Sequence, residues 1–554
     1  MTRRLALLVL ITLTTFSSFA QDRYIVRFTD KNNSPFSLSS PLQFLNQRSL
    51  DRRTKQNIPL DQFDLPVNPS YVAGVAATGA SILNVTKWFN AVIIQTTNPA
   101  VLTAISQLSY VVSTNAVGKK RATVGPDKFS AEKTIPLKDK SIVSARTASY
   151  NYGNATNQTT MIGIDAVHNM GYSGENMIIA VLDAGFLDAD QMACFDSLFA
   201  DNRIISTWDF VDHETNVYND HYHGSCVLSC MAANVPGDMV GTAPKASYIL
   251  LRSEDANTEN IIEEYNWSCA AEYADSAGAD VITTSLGYTE FDNGLNNHTN
   301  ADMDGNTCPS SIAADMAAKK GIAVCASAGN EGASPWHYVG TPGDADSILT
   351  VGAVDYQGLY ASFSSTGPSA DGRIKPDVAT EGLNAMLYSP YNPGPAITGS
   401  GTSFACPILA GAVACLWQSW PNKSNMEIVE AVRKSASIYN NPDSLLGYGI
   451  PNFNYAHSLL SIGEVSVPKD AVIHIFPNPW NGNAPIHLYY YSDTTQDVKI
   501  SMVDMDGRLI FTRTQKVTGG IYTDIQVNEK LNSGVYLVRF ETDKGIVSRR
   551  IVRE

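Results

Sequence analysis

The sequence predicts an α/β fold in which a parallel sheet is flanked by helices, with a small α+β unit before it and an antiparallel β-sandwich after it. For the central part, residues 150–463, short apolar runs rich in β-branched residues alternate with helical patterns, and Gly, Asp or Asn bounds each run. Such runs are typical of strands buried on both faces, and the helices between them imply βαβ crossovers. The runs are MIIAVLDAG, ADVITTSLGY, GIAVCASAGN and SILTVGAVD.

The first twenty residues have the pattern of a secretory signal peptide. Arg3 and Arg4 precede the apolar run LALLVLITLTTF, and residues 18–20 read Ser-Phe-Ala, a small-x-small cleavage site. The apolar run is short for a membrane span, and no other segment is long and apolar enough to be one. We expect a protein exported through the periplasm, secreted or held at the cell surface, with no transmembrane segment after signal removal.

The next part, residues 21–115, predicts a small α+β unit. It begins with the strand-like RYIVRF and later contains ILNVTKWFNAVIIQT and the helix-like VLTAISQLSYVV. Residues 116–149 are rich in Lys, Ser, Thr and Asp and include Lys119-Lys120-Arg121, so we predict an exposed linker and a processing site there.

Charge is distributed unevenly along the 554 residues. The whole chain has a formal net charge of −15, which argues against nucleic acid as a partner. Residues 21–149 hold 16 Lys and Arg against 8 Asp and Glu, whereas residues 150–464 hold 10 against 36. Complementary fields favour association, so the two parts either dock or are simply solvated surfaces of opposite sign.

The chain contains eight cysteines. Export permits disulfides, but a chain of this size does not need them to fold. Cys226 and Cys230 lie on one predicted helix and Cys406 and Cys415 on another, where cysteine is more often a small buried hydrophobe than a bridge partner. Spacing leaves the pairing of the other four open.

Four polar residues stand where predicted strands end or helices begin. Asp183 ends the strand IIAVLD, and Asn330 follows the strand AVCAS. His223 opens the pattern HGSCVLSCMAA, and Ser403 in GTSFACP opens an apolar helix. A rigid scaffold presents side chains at such termini to a cleft. Each residue alone has a plainer interpretation as a turn former, a left-handed residue or a helix cap.

Together these residue types predict acyl transfer. The Ser403 hydroxyl needs a base within reach to act as a nucleophile, and the His223 imidazole titrates near neutral pH. Asp183 would orient that imidazole and stabilise its charged form. Asn330 would donate its amide N–H to an oxyanion, beside the backbone N–H of Ser403.

The order Asp, His, Ser along the chain differs from that of α/β-hydrolases and chymotrypsin and is the order of subtilisin. The four boxes, the strand SLGY and the stretch FSSTGPSADGRIKPDV at residues 363–378 resemble the subtilisin-like (subtilase, family S8) serine peptidases. The resemblance covers about residues 150–456. It implies a subtilisin-like sheet and an endopeptidase that cleaves proteins or peptides through an acyl-enzyme.

The resemblance also implies other assignments. Residues 21–115 occupy the place of the inhibitory propeptide, the alternative being an independent binding module. Tyr288 would narrow the adjoining subsites. The substrate contacts would come from a strand that pairs with extended peptide and from the segment lining the P1 pocket: Ser285, Leu286, Gly287, Ala326, Ser327, Ala328 and Gly329.

The boxes depart from the family pattern without removing a triad atom. Ala184 stands where most relatives have Ser or Thr, Tyr222 replaces a usual Gly, and Ser225 and Cys226 replace Thr and a second His. No cofactor is required for the predicted reaction. Asp302 and Asp304 resemble part of a calcium loop, but no terminal Glu follows, so a solvated turn is the competing interpretation. A structural calcium ion elsewhere is an expectation from the family.

The last part, residues 471–554, changes to alternating strands separated by Gly-containing turns, which predicts an antiparallel β-sandwich. The PNP start, DMDGRLI, SGVYLVRF and the basic end resemble the C-terminal sorting domain of the Bacteroidetes type IX secretion system, whose machinery would then be a partner. The alternative is an accessory module that binds carbohydrate or protein. For the whole chain the rivals are a catalytically inactive subtilase that acts as a surface binding protein and an esterase-type hydrolase.

Overall fold

A computed structural model describes residues 22–119, 127–129, 132, 134, 135, 150–461 except 293 and 295, and most of 472–553. In the last range residues 477, 483, 484, 493, 505, 506, 519–521, 543 and 544 are left out. The predicted signal peptide lies outside the described residues. The chain divides into two compact units, Met1–Leu460 and Ser461–Glu554.

The first described part, residues 22–119, is an antiparallel four-stranded sheet with helices. Side chains alternate between its faces: Val26 and Val92 pack under α2 and α3, whereas Ile25 and Ile93 join the core of the large α/β part. The strand order is β2-β3-β1-β4. The elements are β1 (Asp22–Phe28), a 3-10 helix (Pro41–Gln43), α1 (Gln47–Lys55), α2 (Pro69–Ala77), β2 (Ser81–Thr86), β3 (Ala91–Thr96), α3 (Pro99–Ser106) and β4 (Val111–Lys119).

The middle of the chain, up to residue 461, forms the large α/β part. Its elements up to residue 302 are β5 (Thr134–Ile135), α4 (Thr156–Met161), α5 (Ile164–Asn169), β6 (Ile178–Asp183), 3-10 helices at Ala189–Gln191 and Ala193–Phe195, α6 (Asp196–Ala200), β7 (Ile204–Asp209), α7 (His223–Ala232), β8 (Asn234–Val235), β9 (Met239–Val240), β10 (Ser247–Arg252), α8 (Ile262–Ala277), β11 (Val281–Thr284) and a 3-10 helix at Asn300–Asp302. There follow α9 (Pro309–Lys319), β12 (Ala323–Ser327), β13 (Leu349–Val354), β14 (Val378–Glu381), β15 (Ala385–Ser389), β16 (Asn392–Gly399), α10 (Thr402–Ser419), α11 (Asn425–Lys434) and α12 (Phe453–Ser461).

A seven-stranded sheet forms the centre of this part, with the order β14-β13-β12-β11-β6-β10-β7. All its pairings are parallel, as the apolar runs predict. The first strand of this sheet along the chain, β6, lies between β10 and β11, so the strand order reverses at β6. Ligands in open α/β sheets bind beyond the carboxyl ends of strands at such a reversal. Asp183, the last residue of β6, lies at that point.

Helices cover both faces of the sheet because every central strand is apolar on both sides. Along β6, Ile179 and Val181 pack with α7 and α10, whereas Ala180 and Leu182 pack with α8 and α9. Helix α10 is long and apolar enough to cross a membrane by composition, but 89% of that stretch is buried. We interpret it as a core helix. All eight cysteines are free and buried, so none of them forms a disulfide.

The basic N-terminal sheet and the acidic α/β part are in contact. Asp275 on α8 is fully buried and pairs with Arg52, Arg53 and Lys87. Lys320 of the α/β part pairs with Asp61 at 2.7 Å and with Asp64 at 3.0 Å. Each part therefore contributes both cations and anions to the contact. The opposite charges counted along the sequence therefore meet at this contact.

The connecting residues differ from the exposed linker that we predict over residues 116–149, at least where they are described. Residues 116–119 belong to β4, and Thr134 and Ile135 form β5, which pairs with β16. Lys128, Phe129 and Glu132 lie in a cleft of the α/β part. Backbone pairing and complementary charge hold these residues, and neither is visible in a composition rich in Lys, Ser and Thr.

The second unit consists of two antiparallel sheets, as the turn pattern predicts. One has the order β17-β18-β21 and the other β20-β19-β22-β23, and side chains from both form one core. The strands are β17 (Val472–Phe476), β18 (Ile486–Tyr491), β19 (Gln496–Asp504), β20 (Leu509–Val517), β21 (Tyr522–Val527), β22 (Gly534–Thr542) and β23 (Gly545–Arg553).

Candidate active site

The carboxyl end of β6 and the start of α7 bring Asp183 and His223 together. His223 Nδ1 donates to Asp183 Oδ1 at 2.7 Å, and the backbone N–H of Ala184 donates to the same oxygen at 2.7 Å. Both side chains are buried. The other oxygen, Asp183 Oδ2, is buried and accepts no hydrogen bond from the described residues. The carboxylate therefore fixes which ring nitrogen faces the cleft: Nε2.

The pair can approach because the residue after His223 is glycine. A Cβ at Gly224 would lie 2.3 Å from the carbonyl oxygen of Gly185 and 3.0 Å from Cβ of Asp183. Any side chain there would push the first turn of α7 away from β6. Gly224 thus sets the distance between the imidazole and its carboxylate.

Ser403 and Asn330 come from the other half of the sheet. Ser403 is the second residue of α10, and its carbonyl oxygen accepts from Ser285 Oγ at 2.8 Å. Asn330 follows β12, and its Oδ1 accepts from the backbone N–H of Thr402 at 2.9 Å and from Thr402 Oγ1 at 3.0 Å. Because Oδ1 is engaged in this way, the Nδ2 donor of Asn330 must face the cleft.

A carboxylate that the sequence pattern does not place in the site connects these residues. Glu132 Oε1 accepts from Ser403 Oγ at 2.6 Å and from Asn330 Nδ2 at 2.7 Å. His223 Nε2 donates to Glu132 Oε2 at 2.9 Å. The described hydrogen bonds of the Ser403 hydroxyl and of Nε2 thus both go to Glu132 rather than to each other.

Two carboxylates act on the His223 ring. Burial alone would lower the pKa of the imidazole, but Asp183 and Glu132 outweigh burial and raise the pKa to about 10. In this state the imidazole is a cation held between two anions. A cationic imidazole has no lone pair with which to take a proton from Ser403, so the described arrangement is that of a blocked site.

The cleft beside these residues has a volume of about 270 Å³. Six of the seven predicted substrate contacts line it, together with Ser403 and Asn330, and the exception is Ala326, which is buried in β12. Tyr288 is not among the lining residues either: it is 1% exposed, and its hydroxyl donates to Glu254 Oε2 at 2.8 Å. The six are Ser285, Leu286, Gly287, Ser327, Ala328 and Gly329.

The cleft segment, defined as residues 127–129 and 132, contributes Lys128, Phe129 and Glu132 to the lining of this cavity. The Phe129 ring stacks on His223, with centroids 4.1 Å apart, and the backbone N–H of Lys128 donates to the carbonyl of Ala256 at 3.3 Å. Only its position ahead of the α/β part could have indicated this segment. Its charged residues carry no periodicity, and they are typical of a solvated loop.

The carboxylates of the loop that resembles a calcium site are engaged within the loop. Asp302 accepts from the backbone N–H and the hydroxyl of Thr299, both at 2.7 Å. Asp304 accepts from the N–H groups of Asn306 and Thr307, both at 2.8 Å. This is a capped turn, and a calcium ion in this protein stays a prediction.

Comparison with known proteins assigns the three parts of the chain. The subtilase family (peptidase S8) matches residues 174–449, and the peptidase S8 propeptide domain of Bacteroidota matches residues 23–133. The secretion system C-terminal sorting domain matches residues 474–554, which indicates export to the cell surface or the extracellular space. The alternative of an accessory module for the last part is thereby set aside.

Individual relatives agree with the family match. The chain is 31% identical over 302 residues to subtilisin of Bacillus pumilus, covering 54% of this chain and 96% of that protein. It is 32% identical over 287 residues to subtilisin E of Bacillus subtilis, covering 51% of this chain but 66% of that protein, just under two thirds of its length. The chain belongs to the subtilase family, a family of serine endopeptidases.

Solved structures show the same fold. Fervidolysin from Fervidobacterium pennivorans aligns with a TM-score of 0.51 and 17% identity over 96% of this chain and 76% of that one. The epidermin leader peptide processing serine protease of Staphylococcus aureus aligns with a TM-score of 0.52 and 16% identity, over 80% of this chain and 99% of that one. At this level of identity the likeness concerns the fold alone.

Proposed function

We propose that this protein is a secreted serine endopeptidase that hydrolyses peptide bonds through Asp183, His223 and Ser403. In the precursor the cleft segment blocks the site, and its removal releases the activity. The C-terminal unit addresses the protein to the type IX secretion machinery. Family membership supports the class of reaction, and the contacts around Glu132 support the roles of the residues.

The observation that carries the proposal is the convergence of three groups on one carboxylate. Glu132 Oε1 receives hydrogen bonds from both Ser403 Oγ and Asn330 Nδ2, and Oε2 receives one from His223 Nε2. A negatively charged oxygen beside a serine hydroxyl and an amide donor stands in for the oxyanion of a tetrahedral intermediate. The same groups would therefore stabilise that intermediate when substrate replaces Glu132.

Each step then follows from the side chains present. Ser403 Oγ bonds to the carbonyl carbon of the peptide while its proton passes to His223 Nε2. The oxyanion that forms accepts from Asn330 Nδ2, and Asp183 stabilises the imidazolium. The imidazolium gives its proton to the leaving amine as the C–N bond breaks. Water, activated by the neutral imidazole, then hydrolyses the acyl-enzyme to release the carboxylic acid and restore Ser403.

Extended peptide is the substrate that suits the cleft walls. Residues 285–287 follow β11 and line the cleft, and no backbone–backbone hydrogen bond between described loop residues engages them, so an extended chain could pair with them. The cleft segment enters the same cleft, where the Lys128 N–H bonds to the carbonyl of Ala256. We expect a protein or peptide, rather than a small ester, to use the full length of the site.

Hydrolysis of a peptide by the mature secreted protein tests the proposal. Ser403→Ala should abolish hydrolysis, whereas Ser419→Ala, at the far end of the same helix, should retain it. A folded mature protein without peptidase activity would favour the inactive binding protein. Turnover of a simple ester without turnover of any peptide would favour an esterase.

A further inference from the structure

Three carboxylates stand together at one end of the cleft. Glu254, Glu259 and Glu263, here called the acidic trio, each offer an oxygen within 4.8 Å of the others. The side chains of Glu254 and Glu263 are 2% and 3% exposed, and that of Glu259 is 23% exposed. Glu254 and Glu259 line the same cavity as Ser403 and Asn330. Burial raises the pKa of Glu259 and of Glu263, so a nearby cation stabilises the charged form of the trio against protonation.

In the described state the cation is the ammonium group of Lys128. Its Nζ lies 2.9 Å from Glu259 Oε2 and 3.1 Å from Glu263 Oε2, contacts Glu254 Oε1, and donates to the carbonyl of Thr258 at 2.7 Å. Burial alone would lower the pKa of Lys128, but Glu263 and Glu259 outweigh burial and raise it. Among the described residues, no other Lys or Arg forms an ion pair with the trio.

The carboxylates are oriented by groups outside the cleft segment. Tyr288 Oη donates to Glu254, and Thr258 Oγ1 donates to Glu263 Oε1, both at 2.8 Å. Glu259 Oε1 is buried and accepts no hydrogen bond from the described residues, so the trio keeps spare capacity for a donor. Tyr288 and Thr258 belong to the α/β part, so their hydrogen bonds to the trio do not depend on the cleft segment.

Lys128 occupies the site as a substrate residue would. It lies four residues before Glu132, which contacts the nucleophile, and its backbone N–H bonds to the carbonyl of Ala256, between Glu254 and Glu259 in the chain. When the segment is removed, three oriented carboxylates remain beside the nucleophile without their cation. A side chain of the same charge and reach, on the N-terminal side of the cleaved bond, would restore the ion pairs.

We propose that the acidic trio is a subsite that binds a Lys or Arg side chain of the substrate a few residues before the scissile bond. The proposal rests on the peptidase function proposed above. The trio is therefore a determinant of specificity, and Lys128 is its occupant in the precursor. The chemistry recognised is a primary ammonium or guanidinium group on an extended peptide.

A peptide series on the mature secreted enzyme tests this. Fluorogenic peptides carry Lys, Arg, Gln or Glu in turn at each position from the second to the sixth before the bond. At one position we expect kcat/KM for Lys or Arg to exceed that for Gln by about tenfold or more, which corresponds to about 1.4 kcal/mol, since hydrogen bonds between charged groups are stronger than neutral ones. Glu at that position should be the poorest residue.

Substitutions test whether the preference for Lys or Arg comes from the acidic trio. Glu259→Gln should reduce the ratio of kcat/KM for the Lys peptide over the Gln peptide by most of that factor. Glu430→Gln, an acid on α11 outside the cleft, should leave the ratio unchanged. Hydrolysis of the Gln peptide reports whether each enzyme is folded and active, so a failure of the peptidase function is seen separately as loss of all hydrolysis.

Three results would overturn the proposal. The first is a wild-type enzyme that cleaves Gln peptides but shows no preference for a cation at any position. The second is a preference that survives Glu259→Gln. The third is a Ca²⁺ ion bound stoichiometrically to the mature enzyme, lost in Glu259→Gln, which would make the trio a metal site. The peptide series on the wild-type enzyme tests the preference for a cation even if a variant does not fold.

Discussion

At the scale of single residues, Glu132 carries the block that we propose for the precursor. Its carboxylate accepts a hydrogen bond from the Ser403 hydroxyl, lies where we propose that the oxyanion forms, and stabilises the His223 imidazole as a cation. No covalent bond to Ser403 is needed for this. The block depends on an ion pair and on hydrogen bonds, so we expect a change of pH or the loss of the Glu132 charge to weaken it.

The contact between Glu132 and His223 should weaken as pH rises. An unperturbed imidazole titrates near 6.5, whereas the folded-state pKa of His223 is about 10. The pair thus contributes its full stability below pH ~6.5 and loses it as pH rises through about 10. In a Ser403→Ala precursor, Glu132→Gln should lower the melting temperature at about pH 6, and much less at about pH 10.

The matched control for this comparison is Glu331→Gln, an acid that lines the same cavity without contacting Ser403 or His223. It should change the melting temperature equally at both values of pH. A Glu132→Gln effect that is independent of pH, or that grows toward alkaline pH, would contradict the assignment of a charged His223–Glu132 pair.

Asn330 should act on the rate of the chemical step. Asn330→Ala removes the Nδ2 donor, and the expected loss is about 10²–10³ in kcat, the magnitude known for removal of the equivalent donor in a subtilisin. KM should change little, because the hydrogen bond is strongest in the transition state. A loss confined to KM would place Asn330 in substrate binding instead. Steady-state kinetics on the mature enzyme separates the two.

At the scale of elements, the catalytic residues depend on how helices meet strands. The first turn of α7 approaches the carboxyl end of β6 through Gly224, and α10 presents Ser403 in its first turn. Both helices pack on the same face of the sheet. The relative position of imidazole and hydroxyl is therefore a property of this packing.

Gly224→Ala tests that dependence. The added Cβ would lie 2.3 Å from the carbonyl oxygen of Gly185, so α7 must shift. We expect a loss of stability of about 1–3 kcal/mol and a larger loss of kcat, because the shift separates His223 from Asp183. Gly394→Ala, where a Cβ would meet nothing within 4 Å, is the control and should leave both unchanged. Wild-type kcat in Gly224→Ala would disprove this role.

Sequence reasoning recovers the elements whose pattern is local. The four predicted runs contain β6, β11, β12 and β13, each buried along its whole length. It did not single out β7, whose residues are mostly half exposed at the sheet edge, or β14, which has four residues. It also missed β10, although SYILLR is apolar enough to be recognised.

The residues of the site also divide into those that the sequence predicts and those that it does not. The residues at strand and helix termini can be predicted because their positions follow from the elements and the family order. Glu132 and Lys128 cannot, because their burial depends on partners more than ninety residues away in sequence, Ser403, His223 and the acidic trio. A charged residue in a polar segment predicts solvent contact unless a complementary pocket is known.

At the scale of the whole molecule, opposite charges join the N-terminal sheet and its helices, residues 22–119, to the α/β part. Burial would raise the pKa of Asp275, but Lys87, Arg53 and Arg52 outweigh it and lower the pKa well below its usual range. Breaking a buried pair by removing one partner leaves the others uncompensated. If residues 22–119 are removed with the propeptide, as the family match predicts, the mature enzyme loses these cations, and the precursor should be more sensitive to this carboxylate than the mature enzyme.

Asp275→Asn should destabilise the precursor by about 3–5 kcal/mol, since the buried Arg52 guanidinium loses its anion and that of Arg53 keeps only Asp64. Chemical denaturation of the Ser403→Ala precursor measures this. Asp201→Asn, whose side chain is 65% exposed, is the control and should have an effect within about 0.5 kcal/mol. Equal stability of the Asp275→Asn and parent precursors would refute a contribution of this contact to assembly.

Labelling with a fluorophosphonate, followed by mapping of the modified residue by mass spectrometry, tests directly whether Ser403 is the nucleophile. We expect a label on Ser403 alone, in the mature protein that lacks the cleft segment, and little or none on the intact precursor. A folded mature protein that takes no label, or one labelled at another serine, would contradict it.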